Sequence, residues 1–433
     1  MSTVTTISDT SAAFLTHFEA NAGSLFGETN LRRKAAEAFA AQGIPTRRTE
    51  DYRYLNLELL LKKSFGFRTE LMRIPTSDDV AKLALVENAI VLVIVNGVFV
   101  PQLSSVDNLL AGLKINTIAD AVVTDQTCAA HYAKYANVNS DPFIALNTML
   151  ASGGVFIHVA KNAVIDRPVH ILHIADNEVA SVFQPRHLVV AETGAQIAVI
   201  ESFESIGPVK SFTNALIEVA VSENAVLDHY RIQAEGPAGH LLSTVQGSCA
   251  KGSLYNTYTF SLGGAWVRNN VNKVMAQAGA EAHLYGLYLL NGSQVCDNHT
   301  IVDHAQPNCL SNELYKGVID GKATAVFNGK IFVRPDAQKT NAYQTNKNVL
   351  LSDDASVNTK PQLEIYADDV KCSHGTSTGR IDEDALFYLR TRGIGQESAR
   401  RLLIHAFAEE VVDKIKIESL RIFVEERITA FLG

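Results

Sequence analysis

From about residue 89 to about residue 379 the chain is a succession of short apolar runs rich in valine and isoleucine, and no other feature limits the fold as much. Val155 to Val159, Val169 to Ile174, His187 to Val190, Ile197 to Ile200, Leu216 to Val221 and Ala225 to Ile232 read as strands. Asp176-Asn177, Glu192-Thr193-Gly194, Asn291-Gly292, Asp320-Gly321, Asn328-Gly329 and Asp353-Asp354 read as turns between such runs. Helical periodicity is absent apart from a stretch near Thr117 to Tyr135. Roughly 280 residues of strand exceed one sandwich, leaving two sandwiches, a propeller or a solenoid. No WD or kelch signature recurs and no shift in composition divides the region, so elimination favours a parallel β-helix. Such a fold stacks Val, Ile and Leu inside and sets Asn, Ser and Thr at its corners, which suits Asn341 to Asn358.

Both ends read as helical. Thr29 and Asn30 offer an N-cap to Leu31 to Gln42, with Gly43 and Pro45 as the stop, and a second helix is expected over Tyr52 to Lys63. Beyond Gly379, Asp382 caps a helix that carries Glu383 and Asp384 in its first turn and Arg390 and Arg392 at its end. Gln396 to Val412 follows with an apolar face of Leu402, Leu403, Ala406 and Phe407, and Glu418 to Leu432 with a stripe of Leu420, Phe423, Val424, Ile428 and Phe431. The expected domains are an N-terminal helical region at 1–88, the β-helix at 89–379 and a C-terminal helical domain at 380–433.

Composition narrows the function. With 38 Lys and Arg against 46 Asp and Glu, the net charge of −8 repels a phosphate backbone, so nucleic acid is not an expected partner. Charged residues form 19% of the chain, too few for a coiled coil throughout. The five cysteines, Cys128, Cys249, Cys296, Cys309 and Cys372, are odd in number and scattered, which suits a reducing compartment. The first ten residues have no basic n-region or apolar h-region, and Asn96 and Gly97 interrupt the run Ala89 to Val100 before it could span a bilayer. A cytoplasmic chain with no membrane association is expected.

Few motifs carry chemistry. Cys372 and His374 lie two apart, so on a strand both side chains leave the same face about 6.5 Å apart. Thiolate and imidazole suit iron or zinc, but one strand supplies two ligands where a closed site needs about four. The commoner reading of such a pair is a small buried hydrophobe beside a hydrogen-bonded histidine. If metal binds, the other ligands come from elsewhere. Cys296-Asp297-Asn298-His299, with Asp303-His304 and Cys309, is denser but matches no closed zinc spacing, and solvated corners or ladders are its commoner reading. His170 and His173 fall on opposite faces of a strand. Gly393-Ile394-Gly395 and Gly321-Lys322-Ala323 lack the rest of a P-loop, and no Gly-x-Ser-x-Gly, His-Glu-x-x-His or Rossmann fingerprint occurs, so no enzyme motif is present. Arg32-Arg33, Arg47-Arg48 and Lys62-Lys63 read as solvated helix faces.

An ordered series of blocks then resembles a known family. It runs through Tyr315-Lys316-Gly317-Val318, Val326-Phe327-Asn328-Gly329-Lys330, Pro335-Asp336-Ala337-Gln338-Lys339-Thr340, Asn346-Lys347-Asn348 and Leu350-Leu351-Ser352-Asp353-Asp354. It continues through Thr359-Lys360-Pro361-Gln362-Leu363-Glu364-Ile365, Asp369-Val370-Lys371-Cys372-Ser373-His374-Gly375 and Leu386-Phe387-Tyr388-Leu389-Arg390. Together they resemble the SufB/SufD family of the SUF iron-sulfur cluster assembly machinery, its SufD branch in particular. Upstream, Pro45 to Leu57 is similar to a family segment reading Glu-x-Trp-Lys-Tyr, with Tyr52 and Arg53 in place of Trp and Lys.

The resemblance implies a mainly β protein, a right-handed parallel β-helix flanked by N-terminal and C-terminal α-helical domains. It implies a non-catalytic scaffold that pairs with a SufB-like subunit and binds a SufC-like ABC ATPase through its C-terminal domain; whether the isolated chain forms a homodimer is left open by the sequence. His374 would hold iron or nascent cluster at the SufB/SufD interface, with Cys372 beside it, so iron or an iron-sulfur cluster is transient cargo in the complex and no cofactor stays on the isolated chain. Neutral imidazole binds iron and imidazolium does not, so cluster formation should weaken below about pH 6.5. The alternatives are a purely structural subunit that stabilises the SufB-like partner, or a polysaccharide-active β-helix enzyme using paired carboxylates.

Overall fold

The computed structural model describes residues 9–54, 57–61, 65–67 and 73–433. Its body is the mainly β, parallel β-solenoid expected from the strand pattern. One sheet runs through Val155–Val159, Arg186–Ala191, Ser211–Val221, Gly239–Cys249, Trp266–Met275, Val295–His304, Thr324–Val333 and Ser356–Ile365. The other runs through Ile90–Val95, Val169–Ala175, Gln196–Ser205, Val226–Gln233, Leu254–Ser261, Glu281–Leu290, Leu310–Ile319, Thr340–Leu350 and Val370–Gly379. Consecutive coils pair in parallel, so each residue stacks on its counterpart one coil earlier. Counterparts Gln196, Val226, Leu254, Glu281, Leu310, Asn341 and Lys371 are 30, 28, 27, 29, 31 and 30 residues apart.

Alternation along each strand sorts the side chains. Leu241, Val245 and Cys249 enter the core between the sheets, where Val267, Val271, Leu284, Tyr288 and Phe327 also lie. Leu242, from the same strand, faces out under a cover of helices, together with Phe212 and Trp266. That cover is built from α1 (Asp9–Asn21), α2 (Thr29–Gln42), α3 (Leu57–Leu61) and, after α4 (Ser77–Leu83), α5 (Ile118–Thr124) and α6 (Gln126–His131), from α7 (Pro142–Leu150). On the opposite sheet, α9 (Gln396–Val412) and α10 (Glu418–Phe431), preceded by α8 (Glu383–Thr391), lay Ile404, Ala408, Val411, Leu420 and Val424 on Tyr230, Tyr258, Leu287 and Leu289. Two outside-facing apolar surfaces are thus covered, one at each end of the chain. No helix among the described residues is long and apolar enough to cross a membrane.

Several local expectations change. Thr29 is the first residue of α2 and the N-cap is Glu28, although Gly43 ends the helix with φ 65° as expected. The helix expected over Tyr52 to Lys63 is a 3-10 turn at Glu50–Tyr52 followed by α3, and residues 55–56 and 62–64 lie outside the described ones. Helix α7 was not anticipated: Pro142 to Leu150 is buried from Phe143 to Leu150, so no polar face marks a helical period. Arg32 is buried rather than solvated, its guanidinium donating to the carbonyls of Phe26, Met149 and Ala151, the last two at the end of α7. Asn328-Gly329 is no turn; it lies inside Thr324–Val333. Asn346 and Asn348 face the interior, where they bond to each other and to Tyr288, and do not form a corner. On α9, Leu402 and Ala406 are exposed, and the packed face is Ala399, Ile404, Ala408, Val411 and Val412. Asp382 caps α8 as expected, accepting from the amides of Asp384 and Ala385 at 2.9 and 3.1 Å.

Candidate functional site

The solenoid ends open. Val370–Gly379 and Ser356–Ile365 are the last strands of their sheets, each paired on one side only, and burial falls away along both. A row of unpaired backbone groups on such an edge is a template for further pairing. Cys372 stacks on Ala342 and His374 on Gln344, so both side chains share the inward face, as the two-residue spacing implied. Cys372 packs against Ile331, Val333, Ala337 and Ala342, and burial raises its thiol above the ordinary value. His374 is exposed and has no hydrogen bond or ion pair with the described residues. The chain therefore brings Cys372 and His374 to one mouth, with no further cysteine or histidine beside them among the described residues; the other four cysteines are buried.

Beneath the mouth lies a polar layer that the sequence reading missed. Gln344 stacks on Glu313, whose Oε2 accepts from Gln344 Nε2 at 3.2 Å and from the Thr300 hydroxyl at 2.6 Å. Desolvation pushes the Glu313 carboxyl up to about 7, and the two hydrogen bonds pull the other way. One position along, the Tyr288 hydroxyl donates to Asn348 Oδ1 at 2.5 Å and accepts from Asn346 Nδ2 at 2.9 Å. The spacings Glu313 to Gln344 and Tyr315 to Asn346 are one coil each. Only a known coil length would have aligned them.

Deeper in the solenoid, His173, His187 and Glu201 are buried with ligand atoms within 4.8 Å of one another. The donor set is committed in part, with Glu201 Oε1 and His173 Nε2 left without a hydrogen-bond partner. Arg231 Nε donates to Glu201 Oε2 at 2.8 Å, and the Val155 amide donates to His187 Nδ1 at 3.1 Å. The neutral His187 ring therefore keeps its proton on Nε2 and has no lone pair left for a metal. Burial lowers His187 to about 3; against the burial that opposes it, Arg231, His173 and His229 hold the Glu201 carboxyl well below its usual range. This is a charge-compensated polar core. His170, on the other face of its strand, bonds instead to the Ser202 hydroxyl at 2.7 Å.

The cluster from Cys296 to Cys309 does not converge. Cys296 lies in the interior core and His304 bonds to Ser311, whereas Asp297 pairs on the outer face with Arg268 at 2.8 Å and Asp303 with Arg334 at 2.9 Å. Tyr52, at the segment similar to Glu-x-Trp-Lys-Tyr, is buried; its hydroxyl donates to Asp141 at 2.5 Å and Arg268 lies 4.0 Å over its ring. At the C-terminal end, Phe387, Tyr388, Leu402 and Ile422 are large apolar side chains left exposed on α8, α9 and α10.

Comparison with known proteins gives a consistent picture. Residues 173–407 match the family described as "SUF system FeS cluster assembly, SufBD core domain", and residues 15–171 match "SufBD protein N-terminal region". The chain is 35% identical over 391 residues to the iron-sulfur cluster assembly protein SufD of Escherichia coli, covering 89% of each. It is 31% identical over 408 residues to an iron-sulfur cluster assembly SufBD family protein of Synechocystis, covering 90% of this chain and 88% of the relative. A chloroplastic protein of Arabidopsis thaliana, ABCI7, is 28% identical over 420 residues, covering 90% of this chain and 83% of the relative.

Proposed function

The chain belongs to the SufB/SufD family of iron-sulfur cluster assembly proteins, and from that premise we propose that it is a scaffold subunit whose open last coil mates with a SufB-like subunit. It is a subunit of the SUF system for iron-sulfur cluster assembly. The observation that carries the finer reading is the unfinished end of the solenoid, where the exposed His374 has no partner among the described residues and the inward-facing Cys372 lies beside it. A second β-helix whose terminal strands meet Ser356–Ile365 and Val370–Gly379 would satisfy the free edges and supply the ligands this chain lacks. Iron and the nascent cluster are cargo at that seam. The apolar side chains exposed on α8 and α9 support a SufC-like ATPase as the partner of the C-terminal helices. Hydrolysis of ATP there would change the geometry of the seam, and this chain contributes no catalytic group.

The test is to coexpress His374→Ala with its partner chains and to measure iron and acid-labile sulfide on the purified complex. Loss of both with the assembly intact is expected. Wild-type loading would leave a purely structural subunit.

A further inference from the structure

We infer that Glu313 and Gln344 form an interior position for a divalent cation, directly beneath His374. Glu313, Gln344 and His374 occupy successive coils of one inward-facing ladder in parallel register. Neighbouring strands lie about 4.8 Å apart, so an ion held between Glu313 and Gln344 is one step below the mouth.

The acceptors at this level outnumber the donors. Gln344 Nε2 and the Thr300 hydroxyl both serve Glu313 Oε2. Glu313 Oε1 and Gln344 Oε1 are buried and have no hydrogen-bond partner. Turning the Gln344 amide over would set its carbonyl against the carboxylate, so its NH₂ must face Glu313 and its oxygen is left over. Two orphaned oxygen atoms of this kind lack a donor or a cation.

Three other buried carboxylates are answered by arginine, whereas Glu235, like Glu313, meets a glutamine amide instead, from Gln233. Glu201 is matched by Arg231, Glu218 by Arg186 and Asp297 by Arg268, each with a nitrogen to oxygen distance of 2.7 or 2.8 Å. Glu313 has no such arginine. Lys273, the buried cation nearest in influence, spends its hydrogen bonds on the carbonyls of Tyr255 and His283. The Gln344 amide is held in place by the strand beside it: a Cβ at position 329 would lie 2.6 Å from Gln344 Cδ and 3.0 Å from its Oε1. A glycine inside an otherwise regular strand thus keeps the space that the Gln344 amide fills, which explains why Asn328-Gly329 imitates a turn without making one.

Hard oxygen ligands from one carboxylate and one amide, completed by water, suit a manganese(II) or iron(II) ion better than the thiolate-rich sites that favour zinc. In the assembly role proposed above, on which this part rests, the position is a holding site from which His374 takes iron.

The experiment titrates the anaerobic full-length chain with Mn²⁺ alone, read by the loss of the free-ion EPR signal. One ion per chain is expected for the wild type, at least tenfold weaker binding for Glu313→Gln, and weaker binding for Gly329→Ala, which displaces Gln344 and leaves the carboxylate. His374→Ala should bind Mn²⁺ within threefold of the wild type. No binding by the wild type up to millimolar Mn²⁺ means that the layer holds water only, and the inference fails. Unchanged binding in both Glu313→Gln and Gly329→Ala also overturns it, as does loss confined to His374→Ala. Normal cluster loading in the His374→Ala complex would instead refute the assembly reading and leave the Mn²⁺ result standing.

Discussion

Replacing Gly317 by alanine adds one methyl group to the interior two coils beneath the mouth. The new Cβ would lie 2.7 Å from both Asn348 Oδ1 and Tyr288 Cζ, and closer still to another carbon of the same ring. Ordinary contacts begin near 3.5 Å, and an interior packed to crystal density has little room to give. Tyr288 is fully buried and must retreat, which breaks its hydroxyl bonds to Asn348 and Asn346. Overpacking of this kind costs about 1–3 kcal/mol, and two lost buried hydrogen bonds add about 0.5–1.5 kcal/mol each, for a total of about 2–6 kcal/mol. Gly375, in the last coil, has nothing within 4 Å of an added Cβ, so Gly375→Ala is the control and should change stability by less than about 0.5 kcal/mol. The assay is urea denaturation combined with hydrogen exchange of peptides covering residues 281–290 and 340–350. If Gly317→Ala matches Gly375→Ala in both measurements, the interior is not close-packed over this glycine and the reasoning is wrong.

Three further outcomes follow from the contacts. Glu218 is buried and accepts from Arg186 and from the amides of Ala133, Tyr135 and Ala136, so Glu218→Ala should destabilise by at least about 3 kcal/mol; a change below about 1 kcal/mol in urea would contradict the pairing. Burial pushes Glu204 from 4.5 to about 8, so the folded chain keeps a proton there that the unfolded chain releases. Relative to Glu204→Gln, the wild type should be at its most stable below about pH 4.5 and lose up to about 4 kcal/mol as pH rises toward 8, whereas a pH-independent difference would refute the shift. Phe387 is 67% exposed, so Phe387→Asp should leave the melting temperature within 2 °C, as expected for about 0.5 kcal/mol or less, while weakening capture of a SufC-like ATPase at least tenfold; undiminished capture would remove α8 from that interface.

The strands were legible because the solenoid buries its Val and Ile runs between turns: Val155–Val159 is found with the expected bounds, and Val169–Ala175 within one residue. The coil length was not legible, since counterparts recur after anything from 26 to 32 residues and corners of unequal length blur the period. That loss hid the interior polar layer, because Glu313, Gln344 and His374 fall on one line only when the coils are aligned. Cys372 and His374 were found by their two-residue spacing, which needs no knowledge of the repeat. Helix α7 was hidden by its own burial, and Arg32 by a basic pair whose members face opposite environments. The packed face of α9 was misread because the helix is apolar on two sides, one of which carries the exposed Leu402.

The central claim is that the last coil is a joint. A photo-crosslinking residue at Thr376, which stacks on Asn346 in the inward ladder, tests it in the coexpressed complex, with Val123 on α5, 79% exposed, as the comparison position. A covalent adduct to the SufB-like chain from position 376, and none from position 123, is the predicted result. An intact complex that crosslinks from 123 and stays silent at 376 would mean that the subunits meet elsewhere and that His374 faces no partner.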